Sequence, residues 1–321
     1  MNTGNIAVVF PGQGSQRGGM GKDFYDAVKI SRETYEEASA TLGWDVAGMC
    51  FGEDERLNLT ANTQPCILTT EIAMLRGLHA LYGFSPSFFG GHSLGEFTAL
   101  VAAGVLPLAE TLRIVEKRGQ LMQEAVPVGV GGMAAVISDN LDMEAVRETI
   151  AGLPLNVANA NSANQVVISG KLDAIPGAEA LLREKLGASN NFRFVPLNVS
   201  APFHSHFMKP IEAPFTATLL SIGKGLAPEK ADKVTSNFTG GFHVPDGGEI
   251  VKNLVFQLSN TVKWKENMKN LASRADRIYE IGPGRPLRDF FKTVGITCVS
   301  VTTLSAAQRE FQTEQTNHKQ N

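Results

Sequence analysis

The residues with the clearest chemical potential form the pentapeptide Gly91-His92-Ser93-Leu94-Gly95. It follows a predicted strand at Ser87 to Gly90 and precedes a predicted helix at Glu96 to Ala103. A Gly-x-Ser-x-Gly sequence between a strand and a helix is typical of a sharp turn that exposes the serine hydroxyl. The backbone N–H of Leu94, at the positive end of the helix, could then stabilise an oxyanion. The pattern indicates acyl transfer by Ser93, and the alternative is a plain connection in which Ser93 caps the helix.

A serine hydroxyl needs a neighbouring base to act as a nucleophile at neutral pH, and histidine is the usual one. Of the six histidines, His92 flanks the nucleophile and is interpreted as structural. His204 and His206 lie in one loop, and residue type alone does not choose between them. A metal site at this pair is rejected because no further ligand cluster accompanies it.

Arg118 lies in a helical pattern, three residues after Val115 and four before Met122, so it shares a face with apolar side chains. From the pattern alone its guanidinium is expected to reach past them to solvent.

The glycine-rich segment from Gly12 to Lys22 does not fit a nucleotide-binding loop. A Walker sequence needs glycine where Gln16 stands and serine or threonine where Asp23 stands, and the dinucleotide fingerprint meets Arg17 instead of glycine. We interpret these glycines as letting the backbone of this segment approach another group closely.

The elements that must position these residues alternate between strand and helix, which predicts an α/β fold with a parallel sheet. A β-α-β-β-α-β order within residues 129–199 predicts an inserted ferredoxin-like domain. The large α/β-hydrolase-like domain would then comprise residues 1–128 and 200–307. The polar tail, 308–321, is expected to be disordered.

Bulk composition excludes several classes of protein. The net charge of -3 and 19% charged residues show no basic excess for nucleic acid. The three cysteines are far apart, so neither a disulfide framework nor a thiolate metal site is predicted. The N-terminus lacks a cationic region before its apolar stretch, and no apolar run approaches the roughly 20 residues of a membrane span. We expect a cytoplasmic monomer.

Six segments occur in the order and approximate spacing of the malonyl-CoA:acyl-carrier-protein transacylases. The chain resembles this family over roughly residues 5 to 305. The segments are Phe10-Pro-Gly-Gln-Gly-Ser-Gln16, Gly91-His-Ser-Leu-Gly-Glu96, Arg118-Gly119, Ala201-Pro-Phe-His-Ser205, Gln257-Leu-Ser-Asn260 and Glu280-Ile-Gly-Pro-Gly284.

The resemblance implies a role for each site residue. It selects His204 as the base, oriented by the backbone carbonyl of Gln257, and adds the Gln13 N–H to that of Leu94 in the oxyanion hole. It implies that Arg118 binds the free carboxylate of a malonyl group, for which a guanidinium fork is suited. It further implies a secondary pocket of Gln64, Met122, Asn159, Asn161 and Phe203, although such polar residues are common in turns and Phe203 could simply pack.

The implied function is malonyl transfer from malonyl-CoA to acyl carrier protein for fatty acid biosynthesis, through a malonyl-Ser93 intermediate and without a cofactor. Carrier proteins of such pathways are typically acidic, and Lys252, Lys263 and Lys265 are candidate contacts. The alternatives are a polyketide synthase acyltransferase, a proofreading acyl hydrolase and a non-catalytic binding module. Arg118 argues against the hydrolase, because stray acyl groups lack a carboxylate.

Overall fold

The computed structural model describes residues 4–187, 191–199, 201–221 and 225–317. Its strands form two separate four-stranded sheets. They are β1 (Ile6–Phe10), β2 (Phe88–Gly91), β3 (Gly131–Ile137), β4 (Leu155–Ala160), β5 (Gln165–Lys171), β6 (Arg193–Pro196), β7 (Arg277–Ile281) and β8 (Cys298–Val301).

Helices connect and cover these strands. They are α1 (Lys22–Ala27), α2 (Lys29–Leu42), α3 (Val46–Phe51), α4 (Thr60–Tyr82), α5 (Leu94–Ala102), α6 (Leu108–Glu124), α7 (Met143–Thr149), α8 (Ile175–Leu186), α9 (Glu212–Leu220), α10 (Gly247–Phe256), α11 (Trp264–Ala272), α12 (Pro286–Thr293) and α13 (Leu304–Asn317). Among the described residues, none of these helices is both long and apolar enough to cross a bilayer.

The first sheet carries the predicted nucleophile. Its strand order is β2-β1-β7-β8, and all neighbouring pairs are parallel. The central strand β1 is apolar and almost wholly buried, as expected of a parallel strand covered on both faces. Phe10 pairs with Gly91 at the carboxyl ends of β1 and β2. The loops that follow these two strands therefore begin side by side, where α/β sheets usually bind ligands.

The second sheet is built from one continuous stretch of chain that runs β3-α7-β4-β5-α8-β6. Its strand order is β4-β5-β3-β6, with every neighbouring pair antiparallel. Along β3, Met133 and Ala135 pack on the main core, whereas Ala134 and Val136 pack on a small core beneath α7 and α8. Alternate side chains thus bury both faces of the sheet, and one face is set against the rest of the molecule.

Two expectations about the elements are wrong. Apolar residues at spacings of three and four predict a helix over residues 22–41. The chain forms two helices there, because Val28 adopts an extended conformation between α1 and α2. The tail expected to be disordered from 308 begins instead as part of α13, and residues 318–321 lie outside the described residues. Phe311 stabilises this helix because its ring packs on Tyr82, Phe84 and Tyr279, an apolar contact that the polar composition of the segment conceals.

Candidate active site

Ser93 lies at the turn between β2 and α5. Its φ of 53° and ψ of −103° are uncommon for a residue other than glycine, and such conformations cluster at functional sites. A Cβ on Gly91 would lie 2.0 Å from the carbonyl oxygen of Gly95, and a Cβ on Gly95 would lie 2.1 Å from that of Phe10. Both glycines of the pentapeptide are therefore required by close backbone approach, in agreement with the predicted sharp turn.

His204 is the histidine that reaches the nucleophile. Its Nε2 lies 2.8 Å from Ser93 Oγ, and its Nδ1 lies 2.7 Å from the backbone oxygen of Gln257. Because a carbonyl oxygen only accepts hydrogen bonds, Nδ1 carries the proton and Nε2 is free to accept one from the serine. Gln257 directly follows α10, and its N–H is bonded to Asn253 at the helix end. The structure thus forms a Ser-His dyad whose histidine is oriented by a backbone group.

The surroundings of His204 keep its imidazole neutral. Burial, reinforced by the positive charge of Arg118, lowers the pKa of His204 to about 3. A histidine with an ordinary pKa near 6.5 would be half protonated in mildly acidic solution and unable to act as a base. The site therefore holds a general base that is ready over a wide range of pH.

This lowered pKa predicts an unusual pH profile. The rate at which a neutral fluorophosphonate labels Ser93 should stay nearly constant from pH 8 down to about pH 5, because protonation of His204 begins only below that range. The rate is measured by stopping the labelling reaction at successive times and determining the labelled fraction by intact-mass spectrometry. A matched variant, Arg118→Ala, removes the repulsive charge and should move the acid limb to higher pH. A wild-type profile that halves near pH 6.5 would contradict the assignment.

Arg118 does not extend to solvent, contrary to the expectation from its helical pattern. It is 1% exposed on α6, and its guanidinium lies 5.3 Å from the ring centre of Phe97. It donates to Gln64 Oε1 at 2.9 Å, to Gln257 Oε1 at 2.8 Å and to Ser93 Oγ at 3.3 Å. All of these partners are neutral. Because the apolar face of α6 packs inside the molecule, the guanidinium of Arg118 is a buried cation beside the nucleophile.

A buried carboxylate lies behind the site, and its sequence pattern does not mark it as a functional group. Glu96, in the first turn of α5, accepts from Gln257 Nε2 at 2.6 Å and from the backbone N–H of Asn237 at 3.0 Å. Its other oxygen lies 2.8 Å from His243 Nε2. Asn237 in turn accepts from the backbone N–H of Ser93 at 2.6 Å. Glu96 ends the family segment that contains Ser93, whereas no pattern marks Asn237 or His243.

The two predicted oxyanion donors flank the nucleophile. Leu94 N is the first backbone amide of α5, and Gln13 follows Pro11 and Gly12 in the loop after β1. A Cβ on Gly12 would lie only 2.4 Å from the backbone oxygen of His92, so this loop packs directly on the nucleophile turn. The Gln13 side chain anchors the loop by donating to Thr60 Oγ1 at 3.1 Å. Gln13 and Ser93 line the same cavity, and Leu94 directly follows Ser93.

A cavity of about 790 Å³ opens over these residues, between the parallel sheet and the antiparallel one. All of the predicted site residues except Leu94 and Gln257 line it. These are Gln13, Gln64, Ser93, Arg118, Met122, Asn159, Asn161, Phe203 and His204. The size suits a substrate considerably larger than an acyl group of a few carbons.

The remaining histidines near the loop do not join the dyad. His92 lines the same cavity, but its Nε2 lies 2.8 Å from Asn161 Oδ1, and burial lowers its pKa. His206 is exposed and bonded to Asn156 at 2.6 Å. Within the part of the chain that the structure describes, no group of three or more His, Cys, Asp or Glu could hold a metal ion.

Comparison with known proteins identifies the family of this chain. The model of the acyl transferase domain family matches residues 7–283. The malonyl CoA-acyl carrier protein transacylase of Bacillus subtilis (strain 168) is 39% identical over 297 residues, which cover 90% of each chain. The acyl-carrier-protein S-malonyltransferase of Burkholderia pseudomallei 1710b is 38% identical, with a TM-score of 0.88 over 96% of this chain and 99% of the other.

A further solved structure includes a carrier protein. It is a type II polyketide synthase acyl-carrier protein in complex with its malonyl-transacylase, and the matched chain is 34% identical. Its TM-score is 0.86, covering 96% of this chain and 99% of that one. With its Ser-His dyad, its strand-turn-helix nucleophile and a family match across most of its length, the chain belongs to the acyl transferase domain family.

Proposed function

We propose that the protein transfers the malonyl group of malonyl-CoA to the phosphopantetheine thiol of an acyl carrier protein, for fatty acid biosynthesis. It is an acyltransferase that works through a malonyl ester on Ser93. The names of the relatives described above support this substrate pair. The observation that carries the proposal is the buried guanidinium of Arg118, 3.3 Å from the nucleophilic oxygen.

A buried cation with only neutral partners favours an acyl group that brings its own negative charge. Burial lowers the pKa of Arg118 to about 9, an effect that the more distant Glu96 opposes. Among the described residues, Arg118 Nε has no hydrogen-bond partner. A malonyl carboxylate would neutralise the cation and accept two parallel hydrogen bonds from its fork. An acetyl group would leave the cation unpaired, and the site would therefore prefer malonyl.

The first half of the reaction moves the acyl group to the enzyme. His204 Nε2 takes the proton of Ser93 as Oγ attacks the thioester carbonyl carbon. The N–H groups of Leu94 and Gln13 would hold the resulting oxyanion. The C–S bond then breaks, and the CoA thiolate takes the proton from His204. In the second half the carrier thiol gives its proton to His204 and attacks the carbonyl carbon of the Ser93 ester. The ester C–O bond breaks, and Ser93 Oγ takes the proton back from His204.

A backbone carbonyl is a weaker partner for the transient imidazolium than the carboxylate of a Ser-His-Asp triad. The Gln257 carbonyl can hold the ring in place, but it supplies no full negative charge. More of the barrier reduction must then come from the backbone amides of Leu94 and Gln13 and from positioning of the malonyl group.

Phe203 is placed to influence the choice of acyl group. It is buried directly before His204 and lines the cavity. We propose that its ring leaves little room for a methyl branch on the malonyl α-carbon, a discrimination worth about 1–3 kcal/mol. Gln64 and Met122 lie on the Arg118 side of the cavity, and Asn159 and Asn161 face it from the antiparallel sheet.

The proposed reaction takes place in the cytoplasm and needs no cofactor, since side chains and backbone amides supply every group that it uses. Its partner is an acyl carrier protein. Of the three lysines considered as contacts, Lys252 is paired with Glu249 and Lys263 lies 5.7 Å from the ring centre of Phe238.

A polyketide synthase carrier is the second candidate acceptor. The structural match to a malonyl-transacylase bound to such a carrier favours it specifically. The chemistry on Ser93 would be identical, and only the protein that presents the thiol would differ.

One experiment tests the function directly. The protein is incubated with malonyl-CoA labelled in the malonyl group, with and without a fatty acid synthesis carrier or a type II polyketide carrier. We expect label on carrier protein, faster with the fatty acid carrier, and a malonyl adduct on the enzyme when carrier is absent. Loss of the label to free malonate in the presence of carrier would establish hydrolysis instead.

A further inference from the structure

Gln257 presents two separate functional groups to the site. Its backbone carbonyl accepts from His204 Nδ1, as described above. The side-chain amide of Gln257 bonds to three other residues. Its Oε1 accepts from Arg118. Its Nε2 donates to the backbone oxygen of Ser93 at 3.0 Å and to Glu96 Oε2 at 2.6 Å. The backbone group therefore acts on the base, and the side-chain group acts on the guanidinium.

The direction of this amide is decided by its neighbours. An amide can rotate to exchange its oxygen and its NH₂ group. Here one side faces the Ser93 carbonyl and the Glu96 carboxylate, which only accept, and the other faces Arg118, which only donates. A reversed amide would place NH₂ against the guanidinium and oxygen against the carboxylate. The Glu96 carboxylate and the Arg118 guanidinium both make charge-assisted hydrogen bonds to this amide. The bond to Glu96, at 2.6 Å, is the shorter of the two, and the bond from Arg118 is 2.8 Å long.

Glu96 is itself held by fixed donors. The backbone N–H of Asn237 and His243 Nε2 both point at its carboxylate. Asn253 Nδ2 lies 3.5 Å from His243 Nδ1. Because an amide NH₂ only donates, His243 Nδ1 accepts, and Nε2 carries the proton that is given to Glu96. Glu96, His243 and Asn237 are all buried, so water does not compete for these bonds.

We infer that Glu96 is a positioning residue that sets the malonyl selectivity of the site by fixing the side-chain amide of Gln257 against Arg118. This inference rests on the proposed function, because it concerns how Arg118 is presented to an acyl carboxylate. Glu96 touches neither the nucleophile side chain nor the base. Glu96 acts on the guanidinium through the Gln257 amide, and Arg118 is held on that side by Gln257 and on the other by Gln64. A second path from Glu96 leads through Asn237 to the backbone N–H of Ser93, and labelling of Ser93 reports on that path.

The two groups of Gln257 should be separable by mutation. Gln257→Leu keeps the backbone carbonyl for His204 and removes the amide, and Glu96→Leu removes the group that orients the amide. In both variants we expect the ratio of kcat/KM for malonyl-CoA over acetyl-CoA to fall about 10- to 100-fold, the scale of losing a hydrogen bond to a charged group. In Glu96→Leu, labelling of Ser93 by a neutral fluorophosphonate, which needs the dyad and no carboxylate contact, should change less than about threefold.

A conservative variant and a matched control variant distinguish a positioning role of Glu96 from a general loss of stability. Glu96→Gln keeps an oxygen that can accept from Gln257 Nε2, and it should recover most of the selectivity. Glu71→Gln is the matched control, because Glu71 is equally buried and bonds to Thr98 on the same helix as Glu96, away from Arg118. We expect it to retain the wild-type ratio. In an Arg118→Ala background, Glu96→Leu should cause no further loss of the ratio.

Each outcome either supports or contradicts the positioning role of Glu96. Unchanged selectivity in Gln257→Leu, or equal loss in Glu96→Gln and Glu96→Leu, would overturn the inference. So would a parallel fall in fluorophosphonate labelling, since this would place the effect on the dyad. If Glu96→Leu does not fold, Gln257→Leu and Glu96→Gln still carry the test. Failure of the wild-type protein to transfer malonyl at all would contradict the proposed function and not the positioning role.

Discussion

Replacing Ser93 with alanine is expected to lower malonyl transfer by at least about 10⁴-fold, the scale seen when the nucleophile of a hydrolytic triad is removed. The variant lacks the only atom that forms the covalent intermediate, while the cavity and the backbone amides remain. We therefore expect malonyl-CoA to bind with nearly unchanged affinity but to form no adduct. Intact-mass spectrometry after mixing with malonyl-CoA, together with calorimetric binding, measures both quantities.

Ser15 provides a matched control. It also lines the cavity, but its hydroxyl is bonded to the backbone oxygen of Gly12 at 2.8 Å, within the loop that carries Gln13. Ser15→Ala should still form the malonyl adduct. A malonyl adduct of undiminished yield in Ser93→Ala would show that another residue is the nucleophile, and the dyad would then lose its proposed role.

The second large effect is expected at Arg118. Arg118→Ala should lower kcat/KM for malonyl-CoA by about 30- to 5,000-fold, corresponding to roughly 2–5 kcal/mol for loss of one partner of a buried charge pair. The malonyl carboxylate would then enter a buried site with no countercharge. Because acetyl-CoA has no carboxylate, its kcat/KM should not fall in parallel. Parallel assays of CoA release from both thioesters give the two constants.

Arg118→Lys tests why an arginine is present. A lysine keeps the charge but offers a point donor instead of a planar fork, so we expect malonyl activity between those of the wild type and Arg118→Ala. An unchanged malonyl-to-acetyl ratio in Arg118→Ala would refute the carboxylate contact. Fluorophosphonate labelling of each variant reports whether the dyad is intact, independently of the acyl group.

Much of the fold follows from local patterns. The β-α-β-β-α-β order predicted within residues 129–199 agrees with the structure. Short apolar runs bounded by glycine, proline or polar residues are typical of buried strands and can be recognised locally. Strand β8 is not predicted, because Cys298–Val301 has only four residues and Ser300 interrupts its apolar side chains. The C-terminal helix is not predicted either, because its stability depends on the contact of Phe311 with aromatic rings from α4 and β7. Such a contact between distant segments leaves no pattern in the local sequence.

The candidate site divides in the same way. The nucleophile turn is encoded locally, since its glycines are required by contacts within and beside one turn. The choice of His204 over His206 is not encoded locally. The two histidines lie in one loop and differ only in their tertiary contacts, since His204 contacts Ser93 and His206 contacts Asn156. The residues alone leave the base undecided, and only the resemblance to a family selects it.

The sequence by itself determined the strained strand-to-helix turn at Ser93, because backbone geometry over five residues depends on where glycine stands. The tertiary structure alone decided the electrostatics. It buried Arg118 among neutral amides, and it brought Glu96 and Gln257 together across 161 positions of chain. Burial and long-range contacts set the charge state of Arg118 and His204, and these depend on which distant segments the fold packs against one another.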